Sequence, residues 1–342
     1  MIYSLCMLQF TTSYLGRRLR IALQSLVFVL IMSVLSISPI LIIFLLSGAL
    51  IFFTIASYLF CFAILAFIFG MIWGGYNLKV RRTTIVLPSL PQAFEGLKIV
   101  QFSDLHLGTF GTPRFVQVAV EKMRAENPDV IFFTGDLVNN RAREADIFLS
   151  ALDGITAPLG VFSILGNHDY GDYVSWKSPE AKRQNHEDLL ALHRSLGWKV
   201  LLNDHAVIAR GGQSIAVVGV ENWGHSFNFP KYGDLKKALG GLADVPVKLL
   251  LSHDPTHWKY KVVSEWPDID VTFSGHTHGG QFGIEIGSWK WSPVQYFYPL
   301  WAGLYTKGRQ HLYINRGVGM LAYSGRVGIW PELSVITLSA NK

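Results

Sequence analysis

Between residues 21 and 78 the chain carries no Asp, Glu, Lys, Arg or His, an uncharged run of 58 residues. As a helix rising about 1.5 Å per residue it would reach roughly 87 Å, against a hydrocarbon core of about 30 Å. One crossing cannot use that length; two long helices or three short ones can. Ser47-Gly48 offers a break for two, and residues 36–39, which end in Pro39, offer another break or a kink. An export signal is a poorer reading, because its apolar core is only roughly 7–15 residues long and a small-residue cleavage site should follow.

Charge orients the segment. Arg17, Arg18 and Arg20 precede it, and Lys79, Arg81 and Arg82 follow it. Basic residues near the ends of a span stay on the cytoplasmic side, so both flanks inside requires an even number of crossings. The expectation is a transmembrane helical hairpin with the rest of the chain in the cytoplasm. The organisation that follows is a basic terminus (1–20), the membrane segment (21–78), a linker (79–93, with Pro88 and Pro91) and a soluble domain (94–342). Six of the 30 basic residues lie before residue 95, leaving 24 against 24 acidic ones in that domain. The basic balance therefore belongs to the membrane flanks, and with no basic stripe in the domain, nucleic acid is not an expected partner. Both cysteines, Cys6 and Cys61, precede the domain, which thus has neither a disulfide nor a cysteine metal site.

Within the domain, short apolar runs alternate with helical patterns. Strands are expected at 98–102, 130–133, 161–165, 214–220, 247–251 and 269–273, with later ones at 312–315 and 334–338; helices are expected at 112–127, 185–196 and 255–266. This alternation implies an α/β fold. Ligand-type residues follow five of the strands: Asp104 and His106; Asp136; Asn167, His168 and Asp169; His253; His276 and His278. In an open α/β sheet such strand ends converge on one crevice. Neutral imidazoles suit Zn, Mn or Fe, and carboxylates suit hard or borderline divalent ions. The donors are too many for one tetrahedral ion and about right for two. Six further histidines (His186, His193, His205, His225, His257 and His311) lack such motif context and are expected to be structural or exposed.

The ordered set Asp-x-His, Gly-Asp, Gly-Asn-His-Asp, His, Gly-His-x-His resembles the calcineurin-like metallophosphoesterases. Residues 274–281 (SGHTHGGQ), 315–319 and 331–333, with the apolar N-terminus, resemble its membrane-associated bacterial branch, and the likeness covers about 94–340. It implies a double β-sheet sandwich flanked by helices in place of an open sheet. It implies two divalent metal ions, one held by Asp104, His106 and His278, the other by Asn167, His253 and His276, with Asp136 bridging. It further implies that a metal-bridging hydroxide attacks phosphorus while His168, oriented by Asp169, protonates the leaving group.

Substrate is less legible. Residues 282–305 hold Phe282, Trp289, Trp291, Tyr296, Phe297, Tyr298, Trp301 and Tyr305. They suit an interfacial belt or acyl-chain groove, or equally the packed edge of a β-sandwich. Residues 222–229 form a second contact candidate. Some membrane-associated members of the family hydrolyse UDP-2,3-diacylglucosamine in lipid A synthesis. The resemblance thus implies two partners, the bilayer and a phosphorylated, lipid-linked small molecule. A phosphodiesterase acting on phospholipids or nucleotides is the alternative, and a catalytically silent membrane scaffold is the alternative of another class.

Overall fold

A computed structural model describes residues 14–47, 50–225, 229 and 231–341. Helices α1 (Tyr14–Ser47) and α2 (Leu50–Ile72) form an antiparallel pair; two segments are long and apolar enough to cross a membrane, Ile21–Ile43 within α1 and Leu50–Tyr76, which runs past the end of α2. α1 continues through Pro39, so no break occurs at 36–39. The break expected at Ser47-Gly48 falls at the end of α1, with Gly48 outside the described residues. Large apolar side chains along both helices, Leu26, Ile42, Phe62 and Leu65 among them, face outward.

Two six-stranded sheets pack face to face. The first has the order β1 (Lys79–Val86), β14 (Glu332–Ser339), β2 (Lys98–Phe102), β3 (Val130–Phe133), β4 (Val161–Ser163), β5 (Lys199–Val200). The second has the order β12 (Gly303–Lys307), β13 (Gln310–Ile314), β9 (Val271–Ser274), β8 (Lys248–Leu251), β7 (Gln213–Gly219), β6 (Asp204–Arg210). A separate hairpin pairs β10 (Ile284–Ile286) with β11 (Trp289–Trp291). This sandwich replaces the single open sheet read from the alternation alone.

The strands read as continuous apolar runs because both of their faces are buried. Ile99, Phe132, Leu249, Leu251 and Phe273 point into the layer between the sheets. Val100, Phe102, Ile131 and Phe133 point the other way, onto helix α3 (Arg114–Ala125) and helix α4 (Pro179–Ser195). Ala216, Val218 and Leu250 cover the opposite outer face with Leu235, Trp258 and Val262. The apolar faces of these short strands thus bury on both sides, at about 25 cal/mol per Å² removed from water.

Several boundaries differ from expectation. α4 starts earlier than residue 185, because Ser178 caps it by accepting from the Ala181 N–H at 3.3 Å and Pro179 occupies its first turn. The helix expected at 255–266 contains a π-type turn, Trp258–Val262. The largest correction concerns 79–93. Lys79–Val86 is no linker but strand β1, paired in parallel with β14 from Lys79↔Glu332 to Val86↔Ser339. The domain therefore begins at residue 79, and only Trp73 to Leu78 separates it from α2.

Candidate metal centre

Each chemistry-bearing loop leaves the same end of the sandwich. Asp104 and His106 follow β2, Asp136 follows β3, Asn167 and His168 follow β4, His253 follows β8, and His276 and His278 follow β9. Five of these eight residues have left-handed backbones: Asp104 (φ 53), His106 (φ 44), Asp136 (φ 60), His276 (φ 70) and His278 (φ 51). Non-glycine residues rarely accept such values, which cost of order 1–3 kcal/mol each and cluster at functional sites. Neighbouring glycines make room. A Cβ on Gly166 would lie 2.7 Å from both Cγ and the backbone N of Asp136, and closer still to Oδ1. One on Gly317 would lie 2.9 Å from Asp104 Cβ.

The side chains form three overlapping groups whose ligand atoms lie within 4.8 Å of one another: Asp104–His106–His278, His106–Asp136–His168 and Asp136–His253–His276. Asp136 Oδ2 lies 3.4 Å from His106 Nε2 and 3.2 Å from His253 Nε2. His278 Nε2 lies 3.4 Å from Asp104 Oδ1. Asn167 Oδ1 sits 2.9 Å from His276 Nδ1. All seven expected ligand residues thus converge, with Asp136 between the two halves.

The outer nitrogens of the rings are held in place. His253 Nδ1 donates to the Thr134 carbonyl at 2.7 Å, and His106 Nδ1 to Asn139 Oδ1 at 3.1 Å. His276 is reversed: its Nε2 meets the Tyr298 hydroxyl at 2.8 Å and Asp254 at 3.5 Å, turning Nδ1 inward. Such outer partners set the ring orientation and tautomer of metal-binding histidines. Asp254 and Tyr298 were not identified from sequence as site residues. Asp254 stands directly after His253, the one signal that marked it.

The donor set fits divalent cations. His106 Nε2 and His278 Nε2 are buried without a hydrogen-bond partner, a costly arrangement unless something electrophilic is bound. Charge points the same way. Burial opposes ionisation of Asp136, but His253, His168 and His106 outweigh it and hold its carboxyl well below the usual range. Burial alone would depress His253, yet Asp136 and Asp104 pull it up to about 10. The paired carboxylates thus draw positive charge into the cluster, which bound ions would supply.

His168 and Asp169 differ in part from expectation. The ring of His168 contacts His106, and its Nδ1 donates to the Asn139 carbonyl at 2.8 Å. Asp169 does not hold that ring. Its carboxylate accepts N–H bonds from Gly166, Asp136 and Leu137 at 2.8–2.9 Å, so it fixes the loop that carries Asp136. The six remaining histidines lie outside the three groups. His193, for instance, is buried against Ser163 Oγ, and burial pushes it down to about 3. Of the second contact candidate, residues 226–228 lie outside the described residues; Phe229 packs edge-on against His276 with ring centroids 5.0 Å apart.

A further buried element meets the centre from the side of the helical pair. The Arg326 guanidinium is fully buried and donates to the carbonyls of His278 at 3.0 Å, Gly317 at 3.1 Å and Gly319 at 2.6 Å. It anchors the backbone on both sides of the Asp104–His278 half. Nothing in its sequence surroundings distinguishes it from a surface arginine.

The family model for calcineurin-like phosphoesterases matches residues 97–280. The metallophosphoesterase YkuE of Bacillus subtilis is 30% identical over 276 residues, covering 78% of this chain and 87% of its own. A UDP-2,3-diacylglucosamine pyrophosphatase of Chlamydia trachomatis, LpxG, is 30% identical over 244 residues, covering 60% of this chain and 71% of its own. A transmembrane protein with a metallophosphoesterase domain from Danio rerio is 29% identical over 281 residues; the match covers 79% of this chain and 60% of the fish protein.

Proposed function

We propose that this chain, which belongs to the calcineurin-like phosphoesterase family, is a membrane-anchored enzyme that hydrolyses a lipid-linked phosphoester or pyrophosphate at a two-metal centre. Hydrolysis of phosphoric esters or anhydrides and a dinuclear metal site are properties of the family. The observation that carries the reading is the pair of buried donor groups sharing Asp136, with unpartnered imidazole nitrogens turned toward the centre.

Asp104, His106 and His278 would hold one ion and Asn167, His253 and His276 the other, with Asp136 between them. Bound there, divalent ions polarise phosphoryl oxygens and acidify water. The chain's own residues do the rest. Asp169 holds the Asp136 loop rigid through backbone N–H groups. Asn167 contributes a neutral oxygen, so its half of the centre gains no extra negative charge to repel a phosphate. His168, its Nδ1 donating to the Asn139 carbonyl, keeps Nε2 for the leaving oxygen; burial pushes the ring down to about 4, so the doubly protonated form, stabilised by the negative charge that builds on the leaving oxygen, is the one that would deliver the Nε2 proton.

The apolar pair α1–α2 supports anchoring, and the basic residues at both of its ends support a cytoplasmic catalytic domain at the inner membrane. Among substrates, UDP-2,3-diacylglucosamine combines a pyrophosphate with two acyl chains, and the similarity to LpxG favours it. The experiment is UMP release from UDP-2,3-diacylglucosamine by detergent-purified protein with Mn²⁺, beside an Asp136→Ala control. Release that vanishes in the control supports both substrate and centre. Hydrolysis of a generic aryl phosphodiester without UMP release keeps the hydrolase and discards this substrate. Silence on both substrates rejects the enzyme.

A further inference from the structure

The hairpin β10–β11 is inside out. In a hairpin lying on a soluble domain, apolar residues face the domain and charged ones face water. Here the register pairs Glu285 with Lys290, and both turn inward. Glu285 bonds Arg81 and Arg316; Lys290 reaches the Ala302 carbonyl and lies over the rings of Trp301 and Tyr305. Pairs Ile284↔Trp291 and Ile286↔Trp289 share the opposite face. Ile286 is 70% exposed, Trp289 56% and Ile284 47%. Tyr296 and Phe297, just beyond the hairpin, are also exposed, at 73% and 63%.

This patch adjoins the helical pair. Phe282, at the foot of the hairpin, stacks on Phe67 of α2 with ring centroids 5.9 Å apart. Phe67 is five residues before the end of α2, so the contact lies about 7.5 Å along the helix inside its last residue. The loop carrying Tyr323 to Arg326 is wedged between the helices: the Tyr323 hydroxyl bonds the Phe67 carbonyl, and the N–H groups of Ser324 and Arg326 bond Ser25 Oγ and the Gly70 carbonyl at 3.1 and 3.2 Å. The domain is thus fixed against the pair. The patch also leads into the centre, because exposed Phe297 is followed by buried Tyr298, whose hydroxyl meets His276.

We infer that the outer face of β10–β11, with Tyr296 and Phe297, docks into the bilayer at the boundary of headgroups and acyl chains, laying the rim of the metal centre on the membrane. The occupant is lipid, because the patch is continuous with the surface of α1–α2 through Phe282 and Phe67, and exposed apolar faces beside a span settle at the boundary of headgroups and acyl chains. A lipid-linked phosphate would then reach the centre along the surface without leaving the bilayer. The inference rests on the proposal that α1 and α2 span the membrane.

The test is nitroxide labelling of the full-length chain in phosphatidylcholine–phosphatidylglycerol vesicles, comparing collisions with oxygen and with a water-soluble nickel chelate. Cys61, exposed on α2, is labelled after Cys6→Ser; Ile286→Cys and Val207→Cys are labelled after both native cysteines become Ser. Docking requires an oxygen-to-nickel ratio at Ile286 several-fold above that at Val207, an exposed position on the far edge strand β6. If Cys61 is in acyl chains and Ile286 matches Val207, docking fails and the anchor stands. If Cys61 is itself nickel-accessible, the membrane reading fails, and docking with it. If Ile286 is shielded from both relaxants and shows label–label broadening, the face binds a second copy and lipid docking is overturned.

Discussion

Gly166→Ala puts the geometry of the centre to a direct test. The glycine lies in the turn after β4, directly beneath Asp136. An alanine Cβ there would stand 2.7 Å from both Cγ and the backbone N of Asp136 and closer still to Oδ1, and Asp169 pins the backbone of the loop on both sides. The Asp136 carboxylate has to move. Overpacking of this kind costs about 1–3 kcal/mol, and for a domain of this size each kcal/mol lowers Tm by roughly 2–4 °C. The larger effect falls on the ions, because Asp136 faces both halves of the centre. Both should bind at least about 10–100-fold more weakly, the loss that even outer-partner changes produce. Metal content after dialysis, calorimetric Mn²⁺ titration and thermal melting of the metal-free protein together measure this. A Gly166→Ala protein that folds and holds two ions with wild-type affinity would refute the assignment of Asp136 to the shared position.

Other outcomes follow from particular contacts. His168→Gln should keep both ions and lower turnover about 10²–10⁴-fold; unchanged turnover with intact metal removes His168 from proton transfer. Glu332, fully buried, pairs with Arg316 and Arg81; Glu332→Gln should destabilise by about 1–3 kcal/mol, because it removes one of the two carboxylates on the buried Arg316 guanidinium and leaves only Glu285, and a melting curve within a degree of wild type contradicts this. His193 has a folded pKa near 3, below the unfolded value of about 6.5, so the unfolded chain binds the extra proton and stability falls as pH drops below 6.5. Between pH 6.5 and 5 the cost is about 2 kcal/mol. His193→Gln should lose correspondingly less on acidification; equal acid sensitivity in the two proteins would exclude His193 as a source.

Sequence alone displayed the candidate donors and their order, because metal chemistry needs side-chain types that local motifs display. It also determined the strands that carry these residues, because burial on both faces writes itself as unbroken apolar runs, and the length of the apolar, uncharged segment before them. Tertiary structure decided what depends on partners distant in the chain. Lys79–Val86 looked like a linker because Lys79, Arg81 and Arg82 break its apolar pattern, and only pairing with β14, some 250 residues on, makes it a strand. The left-handed backbones at Asp104, His106, Asp136, His276 and His278 are strained locally and held by the surrounding packing. Asp169 was expected to orient His168, but loop closure turned it to the Asp136 backbone instead. Arg326 met the centre only when its loop folded between the two apolar helices, and Ile284, Ile286 and Trp289 became an outward face only when Glu285 and Lys290 found partners on the domain. Side-chain identity is local information, whereas which face a residue presents, and to what, is set by contacts that the linear order does not contain.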